Sequence, residues 1–273
     1  MHLDVADLIA FYETPLGRIA RQLVCNRLSE LWPRVGGQRL LGLGYAGPYL
    51  KPFHEEAERV LAVAPAAVGV TAWPSEGRQR VCLAAEDALP LPDAAVDRVL
   101  VVHAIEVAPD PERLLRELWR VLTPGGRLIA VVPNRSGLWS RAETTPFGTG
   151  RPYSRRQLGR LLSDALFSPA AWDEALFLPP WPRRFLMSSA KAWERVGHRA
   201  WPAFGGVVLV EAEKRMWMGI PAKRKSRRVP VLVPVPAGVR REPLPPPDGA
   251  SPVSVGAGTP PVRRTGSRTP TAR

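Results

Sequence analysis

Cysteine is nearly missing from this chain. Only Cys25 and Cys82 occur in 273 residues, both among apolar neighbours and without CxxC spacing, so neither a disulfide scaffold nor a zinc site is indicated and no metal is expected. A reducing compartment follows, and the cytoplasm is the expected location. Long apolar runs are missing as well. Nothing approaches the roughly 18 residues of a membrane span, and the first residues show no basic start leading into an apolar stretch. No acid lies about 20 residues after the glycine turn at 42–47, which argues against a nicotinamide dehydrogenase.

Charge is unevenly spread. Residues 222–273 hold 11 Lys and Arg against Glu242 and Asp248, and so carry +9 of the total +13. They also hold 11 of the 31 prolines and lack aromatics. Such a segment cannot bury enough apolar surface to offset its ordering entropy, and a disordered tail is expected. Its run Lys223-Arg224-Lys225-Ser226-Arg227-Arg228 would draw nucleic acid or acidic surfaces nonspecifically. The folded body is expected over 1–221, long enough for one sizeable core.

Strands and helices alternate along that body. Asp4 or Asp7 can cap a first helix carrying Leu8, Ile9, Phe11 and Tyr12, which Pro15 interrupts; a second helix follows from Leu16 to Trp32. Short apolar strands are expected at 39–43, 59–64, 79–84, 98–103 and 128–132, with a weak helical segment at 54–59 and a loop at 65–74. From Pro111 the apolar residues Leu114, Leu115, Leu118, Val121 and Leu122 recur at helical spacing, with proline in the first turn where a missing N–H costs nothing. A long loop spans 135–152. Ser154 and Gln157 then have the spacing of a capping box, and a strand near 172–177, a helix near 185–196 and a last strand at 206–211 complete the body. Such alternation predicts an open, mostly parallel sheet with helices on both faces.

The most informative stretch is Leu83–Asn134, LAAEDALPLPDAAVDRVLVVHAIEVAPDPERLLRELWRVLTPGGRLIAVVPN. Its order of acidic pair, LPLPD, buried strand, helix, LTPGG turn and second strand resembles the middle of the class I S-adenosylmethionine-dependent methyltransferases. The resemblance implies a Rossmann-like sheet of seven strands with the last antiparallel. It also implies S-adenosylmethionine as cofactor, 35–134 as the cofactor-binding half behind the helices of 1–34, and 135–221 as the half facing an unidentified acceptor.

In such a sheet the ligand lies outside the carboxyl ends of the strands, beside the first strand-to-helix turn. That turn is Leu43-Gly44-Tyr45-Ala46-Gly47-Pro48. Glycine is required where the backbone turns tightly and approaches a ligand, and Gly44 and Gly47 meet that need. The family pattern has an acid at the position of Gly42 and glycines at those of Ala46 and Pro48. The carboxylate expected to hold the ribose is replaced by Ala64, followed by Pro65. The one expected to meet the adenine is replaced by Ala85, with Glu86 and Asp87 beside it: a one-residue slip would bring them into play, and otherwise they solvate the turn. Each lost hydrogen bond costs about 1–3 kcal/mol, so two would weaken binding by about 10² to 10³-fold. Replacement of several groups at once leaves open a noncatalytic protein of the same fold, retained as a binding or scaffolding partner.

His103 follows the fourth strand as pocket wall, general base or internally satisfied histidine. No catalytic dyad is evident, and methyl transfer needs alignment and water exclusion more than acid–base groups. Trp139, Arg141, Arg151 and Tyr153 form the expected acceptor-facing set. Phe11 and Tyr12 are either core or a lid. The tips of the first four strands are expected to converge on one hollow shaped for a nucleoside.

Overall fold

The computed structural model describes residues 3–216; the expected tail disorder lies outside them. Strands β1 (Arg39–Gly44), β2 (Arg59–Pro65), β3 (Val81–Ala84), β4 (Val96–Val102), β5 (Leu122–Pro133), β6 (Phe167–Ala175) and β7 (Val207–Lys214) form one sheet in the order β3-β2-β1-β4-β5-β7-β6. The first five pair in parallel. β7 runs antiparallel to both of its neighbours, β5 and β6.

Side chains of successive strand residues point to opposite faces, and here both faces are covered, which is why the strands read as near-continuous apolar runs. Leu40, Leu100 and Ile129 pack on helices α1 (Val5–Glu13) and α2 (Pro15–Leu31). Leu41, Val99 and Leu128 belong to the opposite core with α4 (Pro111–Val121) and α5 (Arg155–Asp164).

The helix boundaries follow local chemistry. Asp4, rather than Asp7, caps α1 by accepting from the Ala6 N–H, and Thr14 lies extended before Pro15, separating α1 from α2. Asp110 caps α4, and Ser154 and Gln157 form the reciprocal box that opens α5.

Three expectations are corrected. Residues 54–59 are not a helix; the helical turn is α3 (Gly47–Leu50), where Pro48 sits in the first turn. β6 begins at Phe167 rather than near Trp172, and Pro169, which argues against a strand in sequence, is taken up by a register shift between Pro169 and Ala171 on this edge strand. The helix expected near 185–196 is two, α6 (Arg184–Ser188) and α7 (Ala190–Ala200). No helix fills the crossover between β2 and β3, which leaves room on the α1 side of the sheet.

At the opposite end of the strands Asp97 clamps three of them. It accepts from the Arg39 backbone N–H at 2.9 Å, from the Arg39 guanidinium at 3.0 Å and from Thr123 Oγ1 at 3.2 Å. Hydrogen bonding from Arg39 holds its carboxyl below the usual carboxylate range. A depressed pKa contributes stability that is complete above the unfolded value and is lost as pH falls through the folded one. Urea unfolding of Asp97→Asn beside the wild type should therefore show a stability gap at neutral pH that closes in acid; a gap unchanged by pH would contradict this.

Candidate functional site

β1 ends at a position that no side chain could occupy. Gly44 has φ +82°, and a Cβ there would lie 2.2 Å from the Val102 carbonyl oxygen. The Tyr45 N–H donates to that same oxygen at 2.9 Å. The neighbouring strand also ends left-handed, at His103 with φ 53°. Two parallel strands thus release their chains side by side at one level of the sheet.

A cleft of about 510 Å³ opens there, within the range of small-molecule sites. Gly44, Ala62 and Ala64 form its sheet side, the segment from Val68 to Ser75 forms one wall, and Val5 and Ile9 of α1 close over it. Arg21, Lys51, His54 and Glu55 are the charged groups and the imidazole on its lining, beside the hydroxyls of Tyr45, Thr71 and Ser75. The His54 Nε2 atom is buried and has no hydrogen-bond partner among the described residues.

Behind the cleft lies a buried hydrogen-bonded chain. Tyr49 donates its hydroxyl to the Tyr12 oxygen at 2.7 Å, and Tyr12 Oη is 2.8 Å from His103 Nε2. With Tyr12's own proton directed to Nε2, His103 carries its proton on Nδ1, 3.1 Å from Glu106 Oε1. His103 and Glu106 are 1% and 2% exposed. Burial, then the neighbouring Tyr49, holds the Tyr12 phenol well above its ordinary pKa, so the hydroxyl stays protonated. Tyr45 separates this chain from the cleft: it lines the cleft and stacks on Tyr12 at 5.3 Å.

Of the residues singled out from sequence, Gly44, Tyr45, Gly47 and Ala64 come together on the cleft. The others do not. Gly42 is a packing glycine, whose Cβ would meet Leu50 at 2.5 Å and Ala46 at 2.7 Å. Pro65 is buried in β2, Glu86 is half-buried in the following turn, and exposed Asp87 faces Arg113 at 3.4 Å. Gly47 approaches not an open space but the Trp73 indole, which a Cβ would meet at 2.9 Å. The expected convergence of four strand tips is therefore corrected: β1 and β2 reach the hollow, β3 contributes Val81 from its start, and β4 ends behind Tyr45. Tyr45 and Pro48 line the hollow without filling it.

His103 is the internally satisfied histidine, and Phe11 and Tyr12 are core residues that also seal it. Trp139 does not face an acceptor: it is fully buried, donating from Nε1 to the Leu178 carbonyl at 2.7 Å. Arg141 and Arg151 are exposed and Tyr153 is half-buried. Sequence reading missed Arg21, Lys51, His54 and Glu55, because polar residues on a helix or after a turn carry no signal of what they face.

Comparison with known proteins bears on the fold that carries this cleft. Residues 40–130 match the family described as "Methyltransferase domain". A demethylmenaquinone methyltransferase of Deinococcus radiodurans is 32% identical over 114 residues, covering 41% of this chain and 46% of that protein. A probable S-adenosylmethionine-dependent methyltransferase of Mycolicibacterium smegmatis is 40% identical over 81 residues, 29% of this chain and 31% of its own. The chain thus matches less than half the length of these curated relatives. Among solved structures, an S-adenosylmethionine-dependent methyltransferase of Thermotoga maritima, described as a possible histamine N-methyltransferase, superposes with a TM-score of 0.55 at 20% identity, covering 77% of this chain and 96% of that one. Residues 40–130 thus carry the methyltransferase-domain match, and the described residues share the fold of that solved structure.

The buried chain has a measurable consequence. Tyr12→Phe keeps the ring but leaves His103 Nε2 without its donor, which should cost about 1–3 kcal/mol of stability in denaturant unfolding. A neutral substitution would show that the Tyr12–His103 bond is not what ties α1 to the end of β4.

Proposed function

We propose that the cleft over Gly44 binds S-adenosylmethionine and that the protein transfers its methyl group to an acceptor. One observation carries this reading: a cleft large enough for a nucleoside lies at the carboxyl ends of β1 and β2, directly over the turn where the backbone comes nearest to it.

The residues present fit such a ligand, with a redistribution of roles. Glu55 is the acid on the cleft lining and accepts from the ribose hydroxyls in place of the carboxylate missing at Ala64. Arg21 and Lys51 face the ligand's own carboxylate, and the unpartnered His54 Nε2 is a further polar contact. Val68 and Val70 give the base an apolar wall. The cofactor supplies an electrophilic methyl group on a sulfonium; the protein's tasks are alignment and the exclusion of water. Val5 and Ile9 of α1 exclude water by covering the cleft. His103 is not assigned a proton-transfer role, since both of its nitrogens already have protein partners. Nothing in the comparisons favours the noncatalytic alternative.

Titration calorimetry with S-adenosylhomocysteine tests this. Binding should weaken by about tenfold or more in Glu55→Ala, which removes an acceptor worth about 1–3 kcal/mol from the cleft. Absence of binding at millimolar ligand would overturn the reading.

A further inference from the structure

Among the described residues, the segment from Trp181 to Phe204 gathers several exposed large apolar side chains and takes no part in the cleft over Gly44. Phe185 is 75% exposed, and Trp181, Val196, Trp201 and Phe204 are each more than half exposed. Cations stand beside them in sequence: exposed Arg183 lies between Trp181 and Phe185, Arg195 precedes Val196, and Arg199 precedes Trp201. Lys191 is exposed on the same helix, α7.

The only acid in residues 181–204 is Glu194, and its charge is directed inward. It is buried and accepts from the backbone N–H groups of Leu176 and Phe177, both at 3.1 Å. The nearby Asp173 is taken up by His198 at 2.9 Å. The segment therefore presents cations and large apolar side chains with no carboxylate of its own at the surface.

We propose that this face docks on a bilayer containing anionic phospholipid. The pattern decides between a bilayer and a protein partner. Cores of protein interfaces are depleted in charged residues, whereas here a cation stands within two residues of Trp181, Phe185, Val196 and Trp201. An amphipathic segment lying at a membrane surface combines the two: Trp and Phe enter the headgroup boundary, and Arg and Lys reach the phosphates while their stems cover apolar surface. A groove of about 470 Å³ between α7 and the segment after β5, with Arg141 at its lining, is walled in part by Trp201 and Phe204 of the same segment.

Co-sedimentation of the full chain with vesicles tests the proposal. Equimolar phosphatidylglycerol and phosphatidylcholine should bind it about tenfold or more better than phosphatidylcholine alone at physiological salt. The basic residues of 222–273 would also favour anionic vesicles, so the deciding comparison is a variant that leaves them untouched. Trp181→Ser, Phe185→Ser and Trp201→Ser combined should lower the partition coefficient about tenfold or more while leaving the unfolding temperature unchanged, because all three side chains are exposed. A second variant, Arg183→Gln with Arg195→Gln and Arg199→Gln, should weaken binding to the same vesicles without touching an aromatic. If the serine variant binds as the wild type does, attraction belongs to the basic tail and the proposal fails. It fails equally if the wild type does not bind, or if these aromatics instead drive dimerisation in sedimentation velocity without vesicle binding.

Discussion

The site depends on a steric constraint between two neighbouring strands. β1 and β4 are parallel, with Gly44 registered against Val102, and the Gly44 backbone passes so close to the Val102 carbonyl that no Cβ fits between them. Both chains then turn through left-handed residues, Gly44 and His103. One turn delivers Tyr45 to the edge of the cleft. The other sends His103 inward, where Tyr12 and Glu106 satisfy its two nitrogens. A side chain at position 44 would push the strands apart and disturb both outcomes together.

This arrangement explains how the proposed cofactor cleft can do without acids at the ends of β2 and β3. Carboxylates at the ends of β2 and β3 serve by accepting hydrogen bonds from a polar ligand, and any acceptor on the cleft lining can perform that task. In this chain the polar groups have moved to the helical side: Arg21 on α2, and Lys51, His54 and Glu55 after α3. The sheet side, with Gly44, Ala62 and Ala64, is left small and apolar. Trp73 packs against Gly47 from the helix-free crossover, so the glycine accommodates an indole where a ligand was expected.

Much of the fold was legible because it rests on local chemistry. Pro111 with the spacing of Leu114, Leu115 and Leu118 defines α4, and Ser154 with Gln157 defines the start of α5. β6 was misplaced because Pro169 reads as a break, and only pairing with β7 shows that an edge strand tolerates it. The site was less legible. Gly44, Tyr45, Gly47 and Ala64 could be placed near one another because they lie at or just beyond readable strand ends, but Tyr12 and His103 lie far apart in sequence and no periodicity announces their contact. Trp139 was misread because an aromatic in a long loop looks exposed until its indole is seen bonded to the Leu178 carbonyl.

The central claim is that the adenosyl ligand lies over Gly44 and Ala64, beneath α1, rather than against Glu86 and Asp87 in the turn after β3. A crystal structure of the protein grown with S-adenosylhomocysteine addresses it most directly. The account predicts the ribose beside Glu55 and Ala64, with Tyr45 still stacked on Tyr12. A nucleoside bound at Glu86 or Asp87, with the cleft over Gly44 empty, would contradict it.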